Sequence, residues 1–174
     1  MTTDIVILAA GQGSRMKSSL PKVLHAVAGK PMVKHVLDQA RHIDKAKLHV
    51  VIGHGAELLE KALSDEQVMF VLQEEQLGTG HAVAQALPNV DPEGVTLILY
   101  GDVPLTRSET MQQLVSSAAQ GHLGLLTVHL QNPTGYGRII RDQSNHIVAI
   151  VEQKDASDEE LKVTEVNTGI MAVP

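Results

Sequence analysis

The sequence has 174 residues, of which 43% are hydrophobic and 20% charged, and its formal net charge is -6. That composition suits one folded domain with a sizeable core and excludes the basic surface needed to grip a nucleic-acid backbone. There is no cysteine, which excludes disulfides and thiolate metal sites, and Phe70, Tyr100 and Tyr136 are too few aromatics for a single-strand stacking platform.

The chain opens Met-Thr-Thr-Asp and runs into a first apolar strand at residues 5–10. That run is too short for a signal-peptide core and has no basic residue ahead of it. No stretch approaches membrane-spanning length. The expectation is a cytoplasmic protein with neither nucleic acid nor membrane as partner. Small anions stay open as ligands, because a local cluster of Lys, Arg and backbone N–H holds a phosphate even on an acidic protein.

Further apolar runs follow at residues 48–52, 68–72, 95–100 and 123–130. Each has strand length and is apolar nearly throughout, the pattern of a parallel strand covered on both faces. The segments between them read as helices. Pro31 opens the first at its first helical position, with Met32, Val33, Val36, Leu37, Ala40 and Ile43 on one face. Leu58, Leu59, Ala62 and Leu63 mark the second, and residues 81–87 the third. The fourth carries a capping-box pattern, Thr106 with Glu109, and stops at Gly121. After residue 130 the pattern predicts strands at 137–141 and 147–153 around a polar turn, a short charged helix at 155–162 and a last strand at 166–173. The sum is an α/β fold: a Rossmann-like open mixed sheet with helices on both faces.

The residues that promise chemistry fall in the loops after strands, where ligands sit in open α/β sheets. Leu8-Ala9-Ala10-Gly11-Gln12-Gly13-Ser14-Arg15-Met16 follows the first strand. Small residues let backbone N–H groups close on a phosphate oxygen, and Arg15 adds a charged fork. Met16 stands where a dinucleotide loop needs its third glycine, and no Gly-Lys-Ser/Thr closes a Walker loop. Pro21 stiffens the chain before Lys22, which neutralises phosphate as a point charge; taken alone, Lys22 reads as one more surface lysine. The segment 73–82 follows a strand and opens a helix. Its Gln73 carries donor and acceptor for the imide edge of a uracil, and Gly78 and Thr79 allow close approach of a ligand, Thr79 also reading as a plain helix cap. Asp102, after Tyr100 and Gly101, lies at the carboxyl end of a buried strand. It is placed to hold Mg²⁺, against a bland reading as a turn residue. Gly137, Glu152 and Asn167 form a last group; the polar side chains of Glu152 and Asn167 on strands need partners, such as sugar hydroxyls, unless that strand face is solvated. The nine histidines show no metal-site spacing.

Residues 8–16, Pro21-Lys22-Val23-Leu24, 75–82, 100–104, 133–138, Glu152 and Asn167-Thr168-Gly169 together resemble the uridylyltransferase domain of the bifunctional N-acetylglucosamine-1-phosphate uridylyltransferase/glucosamine-1-phosphate acetyltransferases. The resemblance covers essentially the whole chain and implies a fold of the nucleotide-diphospho-sugar transferase type. It implies UTP held by Leu8, Ala9, Ala10, Gly11, Arg15, Lys22, Gln73, Gly78 and Thr79. It implies sugar and product held by Tyr100, Gly101, Asp102, Gly137, Glu152 and Asn167. Arg15, Lys22 and Asp102 would be catalytic, with Asp102 on Mg²⁺. The implied reaction joins UTP to N-acetylglucosamine 1-phosphate, feeding peptidoglycan and lipopolysaccharide synthesis. The family's domain continues further, supplies a second Mg²⁺ ligand, an Asn, from that continuation, and ends in a β-helix that transfers acetyl groups and builds a homotrimer. The expectation is therefore one nucleotidyltransferase domain over 1–174, incomplete at its C-terminus. Rival readings are a transferase for another base or sugar phosphate, a nucleotide-binding module without turnover, and a purely structural protein.

Overall fold

The structure, a computed structural model, describes residues 1–13 and 16–174. The chain gathers into two compact units, Met1–Gly124 with Met171–Pro174, and Leu125–Ile170.

The first unit contains, in chain order, β1 (Thr3–Leu8), β2 (Ala26–Val27), β3 (Lys30–Pro31), α1 (Met32–Ala40), β4 (Ala46–Ile52), α2 (Ala56–Ala62), β5 (Met69–Leu72), α3 (Thr79–Ala86), β6 (Val95–Tyr100) and α4 (Ser108–Ala119). Its sheet runs β5-β4-β1-β6, all parallel, with Ile5 level with Leu48 on one side and Leu97 on the other. The last residues of β10 (Glu165–Val173) add an antiparallel strand on β6, from Met171 to Val173, so the sheet is mixed as expected. β1 is buried on both faces. Val6 packs with Val51, Val71 and the α3 alanines Ala82 and Ala86, while Ile5 and Ile7, alternating with it, are fully buried too. α1 and α4 touch each other and lie against β4 and β6 respectively.

Several boundaries differ from the sequence expectation for local reasons. β1 stops at Leu8, because the Ala9 N–H turns to the Val51 carbonyl and Ala10 accepts from His54 N–H, at 2.9 and 3.3 Å. Pro31 stands one position before α1, since it still pairs with Ala26 in the short β2–β3 ladder. α3 begins at Thr79, two residues earlier than the apolar pattern suggests, with Gly78 as its cap. The Thr106–Glu109 capping box does not form. α4 starts at Ser108, whose N–H donates to the Gln39 side-chain oxygen of α1 at 3.1 Å, while the Thr106 hydroxyl bonds Val103 O.

Buried at the amino end of this sheet is an Asp4–His49 pair, each side chain 1% exposed, with His49 Nε2 2.7 Å from Asp4 Oδ1. The other Asp4 oxygen accepts the Asp91 N–H. Two ionisable groups so deep are tolerated because His49 Nε2 and the Asp91 N–H satisfy both Asp4 oxygens, while His49 Nδ1 has no partner among the described residues.

The second unit holds the rest of β7 (Gly124–His129), then β8 (Arg138–Arg141), β9 (Ile147–Val151) and the first part of β10. β8 and β9 form an antiparallel hairpin whose turn is closed by the Asp142 carboxylate on the N–H groups of Ser144 and His146. Arg141 grips the carboxylate of Glu165 through Nε and Nη2, both at 2.8 Å, and the Thr127 hydroxyl adds a third bond at 2.7 Å. The Arg141 guanidinium holds the Glu165 carboxyl at about 2, against burial and with help from Thr127. The short helix expected at 155–162 is only a 3-10 turn, Glu160–Lys162, because those residues carry no apolar stripe to bury.

Candidate functional site

All four parallel strands of the first unit end on the same side, and a cavity of about 510 Å³ opens there. The loop after β1 supplies Leu8, Ala9, Ala10 and Gly11 to its lining. Ala9 and Ala10 are nearly fully buried and Gly11 is exposed, so the backbone passes from sheet to open cavity within three residues. Arg15, the residue of this loop expected to add charge, lies outside the described residues.

The strongest electrostatic feature is an ion pair across the cavity lining. Lys22 Nζ donates to Asp102 Oδ2 at 2.7 Å, with the two side chains 43% and 27% exposed. Nothing in the sequence spacing joins these residues, which are 80 positions apart. Packing brings them together. Gly101 lies against Val23 and Leu8 O, where a Cβ would sit 3.1 Å from the Val23 side chain. Gly13, at φ +59°, lies on the Lys22 stem, where a Cβ would come within 2.8 Å of Lys22 Cβ. The Lys22 ammonium offsets the desolvation of Asp102. On a pair this exposed the gain is at most about 1 kcal/mol, so the cost of parting the two for a ligand is small.

Behind this lysine the loop after β4 acts as a backstop. Gly55 holds φ 72°, and a Cβ there would come 2.6 Å from Pro21 Cγ. Gly53 is as tightly enclosed by Gln76 Nε2, Ala10 Cβ and Gln73 O.

Gln73, Gly78 and Thr79 line another stretch of the cavity, together with Gln76. Gln73 is 3% exposed, and its Nε2 donates to Gly78 O at 3.3 Å and reaches His81 Nδ1 at 3.0 Å. It therefore ties the loop to the start of α3 as well as facing the cavity. Gln76 Nε2 donates to Gln73 O at 3.2 Å. Tyr100 also lines the cavity, and burial pushes its phenol above the usual value, opposed by a hydrogen bond with Thr79 and reinforced by the Asp102 carboxylate.

Gly13, Met16, Val23, Gln76 and Ala82 complete the lining without having been given roles from sequence. They sit inside the motifs quoted above, so their position was legible but their exposure to the cavity was not.

The remaining candidates belong to the second unit. Gly137 O accepts the Asn167 N–H at 2.9 Å, and a Cβ on Gly137 would sit 3.2 Å from Glu152 Oε1, so the three are neighbours. Glu152 lies just past β9 and is exposed, which corrects its assignment to a strand position where burial would demand a partner. Asn167 turns its side-chain oxygen to the Gly169 N–H at 2.8 Å.

Asp102 is the metal-ligand candidate. Among the described residues no cluster of three or more His, Asp or Glu gathers into a ready-made metal cage. No helix among the described residues is long and apolar enough to cross a membrane.

Residues 5–156 match the model of the MobA-like NTP transferase domain. The chain belongs to this family. A curated relative, the "Bifunctional protein GlmU" of Burkholderia orbicola (strain MC0-3), is 60% identical over 171 residues, 98% of this chain. The chain spans 38% of that relative's length. Among solved structures, a UDP-glucose pyrophosphorylase complexed with UDP-glucose superposes with a TM-score of 0.78 at 18% identity, covering 99% of this chain and 76% of that one. A putative glucose-1-phosphate thymidylyltransferase from Bacillus anthracis gives 0.78 at 19% identity, covering 98% and 71%. At such identities these two show the fold alone, and that fold is the open mixed sheet described above.

Proposed function

We propose that this chain binds UTP in the cavity at the strand ends and transfers its uridylyl group to N-acetylglucosamine 1-phosphate, releasing pyrophosphate. The observation that carries the reading is the Lys22–Asp102 pair on the wall of a cavity also lined by the Leu8–Gly11 backbone and by Gln73. A cation, a carboxylate, a run of open backbone and an amide edge are what a nucleoside triphosphate needs at its two ends. The 60% identity to a bifunctional GlmU protein supports the same substrates.

In the reaction a phosphate oxygen of the sugar phosphate attacks the α-phosphorus of UTP, a new P–O bond forms, and the bond to the β-phosphate bridging oxygen breaks. The attacking oxygen is already anionic, so no general base is required. Lys22, drawn from Asp102 to the triphosphate, neutralises charge that grows as pyrophosphate departs. The Leu8–Gly11 backbone orients the phosphates. Tyr100 and Thr79 form the adjoining wall. The half-exposed Asp102 carboxylate suits Mg²⁺, which is commonly held by one or two carboxylates with waters and substrate phosphates completing its shell. That ion would screen the phosphate charges.

The test is pyrophosphate release by the chain with Mg²⁺ and each of UTP, CTP, dTTP and GTP, paired with N-acetylglucosamine 1-phosphate or glucose 1-phosphate. Release with UTP and the N-acetyl sugar alone supports the reading. Release with a different pair moves the substrate. No release with any pair, alongside retained UTP binding, leaves a binding module.

A further inference from the structure

We propose that His81 is the positioning residue that fixes the base-reading edge of Gln73, so that the cavity accepts a base with a ring N–H, as uracil has, and rejects one with a bare ring nitrogen there, as cytosine has. The inference rests on the uridylyl reading above. His81 does not line the cavity; it acts through Gln73.

The argument is one of donors and acceptors. Gln73 Nε2 lies 3.3 Å from Gly78 O and 3.0 Å from His81 Nδ1. A carbonyl oxygen only accepts, so the Gln73 atom that faces it is the nitrogen. One of its two hydrogens goes to Gly78 O. The other points at His81 Nδ1, which accepts it and so bears no proton. The ring then carries its proton on Nε2, facing the Gln85 side-chain amide 3.1 Å away. The Gln85 nitrogen faces that same N–H, donor against donor, and one of the two amides has to turn over. Gln73 is 3% exposed, and turning it would set its oxygen against Gly78 O with no water to relieve the repulsion. Gln85 is half-buried on α3 and gives up a 3.4 Å bond to His81 O when it turns, but solvent reaches it as it does not reach Gln73, so it turns at less cost and gives its oxygen to the His81 Nε2–H.

Both hydrogens of Gln73 are thereby committed inside the protein. Its Oε1 is the side-chain polar atom left over, and it only accepts. An acceptor-only edge pairs with the N3–H of uracil and sets lone pair against lone pair at N3 of cytosine. A site built to hydrogen-bond a group rejects the analogue lacking it.

Two measurements on this chain decide the matter. Nitrogen-15 NMR of the His81 ring reads its tautomer directly: an unprotonated Nδ1 and protonated Nε2 are expected, and the opposite tautomer overturns the inference. Calorimetric titration with UTP and with CTP then reads the preference in the wild type, His81→Leu and His81→Asn, with thermal melts to check folding. Leucine removes the acceptor, whereas the asparagine amide oxygen stands near the place of Nδ1. The UTP-over-CTP ratio is expected to fall about tenfold in His81→Leu, the value of one hydrogen bond, and to stay within about threefold of wild type in His81→Asn. A wild type that prefers UTP with an undiminished ratio in His81→Leu overturns the inference and leaves the uridylyl reading intact. A wild type with no preference for UTP overturns both. If His81→Leu does not fold, the wild-type tautomer and the asparagine variant still decide.

Discussion

Lys22 and Asp102 form an ion pair that the proposed ligand would separate, and the loss of either is expected to fail in its own way. Asp102→Ala is expected to abolish Mg²⁺-dependent pyrophosphate release, and unchanged turnover in that variant would overturn the metal assignment. Lys22→Ala is expected to lower kcat more than it raises the KM for UTP, because its charge is worth most as pyrophosphate departs. Steady-state kinetics separate the two terms. Elsewhere, Glu165 is a stability residue. Its carboxyl is depressed from an ordinary 4.5 to about 2, so the stability it contributes is present above 4.5 and drains away as the pH falls from there toward 2. Glu165→Gln is expected to cost about 1–3 kcal/mol at neutral pH, and thermal melts of variant and wild type should converge in acid. A gap that persisted at the lowest pH would remove Arg141 as the cause.

Elements were more legible than their ends. The apolar runs marked the four parallel strands of the first unit because a strand covered on both faces has no polar alternation to confuse the reading. The loops that line the cavity were legible for the same reason: each follows such a run. What escaped was whatever depended on a distant partner. The start of α4 reads as a capping box, yet Gln39, 69 residues earlier, supplies the bond to Ser108 N–H. Gln39→Ala is therefore expected to destabilise the chain by about 1 kcal/mol, as loss of a helix cap does, whereas Thr106→Ala should be close to neutral in the same denaturant titration. The Asp4–His49 pair was invisible for the same reason, since 45 residues separate its members. So was the coupling of Lys22 to Asp102, although each had been singled out alone. Glu152 was misplaced because a strand pattern says where side chains alternate and not where the strand stops.

For the molecule as a whole, ligand binding and folding are linked. A nucleotide that binds the folded first unit and not the unfolded chain raises its stability by about 2.7 kcal/mol at a hundredfold excess over Kd. UTP with Mg²⁺ is therefore expected to raise the melting temperature of that unit, and CTP to raise it less at equal concentration. A melt unmoved by UTP would overturn the assignment of the cavity. The contact of Gly55 with Pro21 carries a consequence of another kind. The turn after β4 adds no residue to the cavity lining, yet it packs on Pro21, next to the lysine proposed to meet phosphate. A methyl group added at Gly55 would itself lie 2.6 Å from Pro21 Cγ, well inside van der Waals contact. Directed evolution of a new nucleotide preference would have to treat that silent turn as a wall, because thickening it by one carbon would push on Pro21, the residue that leads into Lys22.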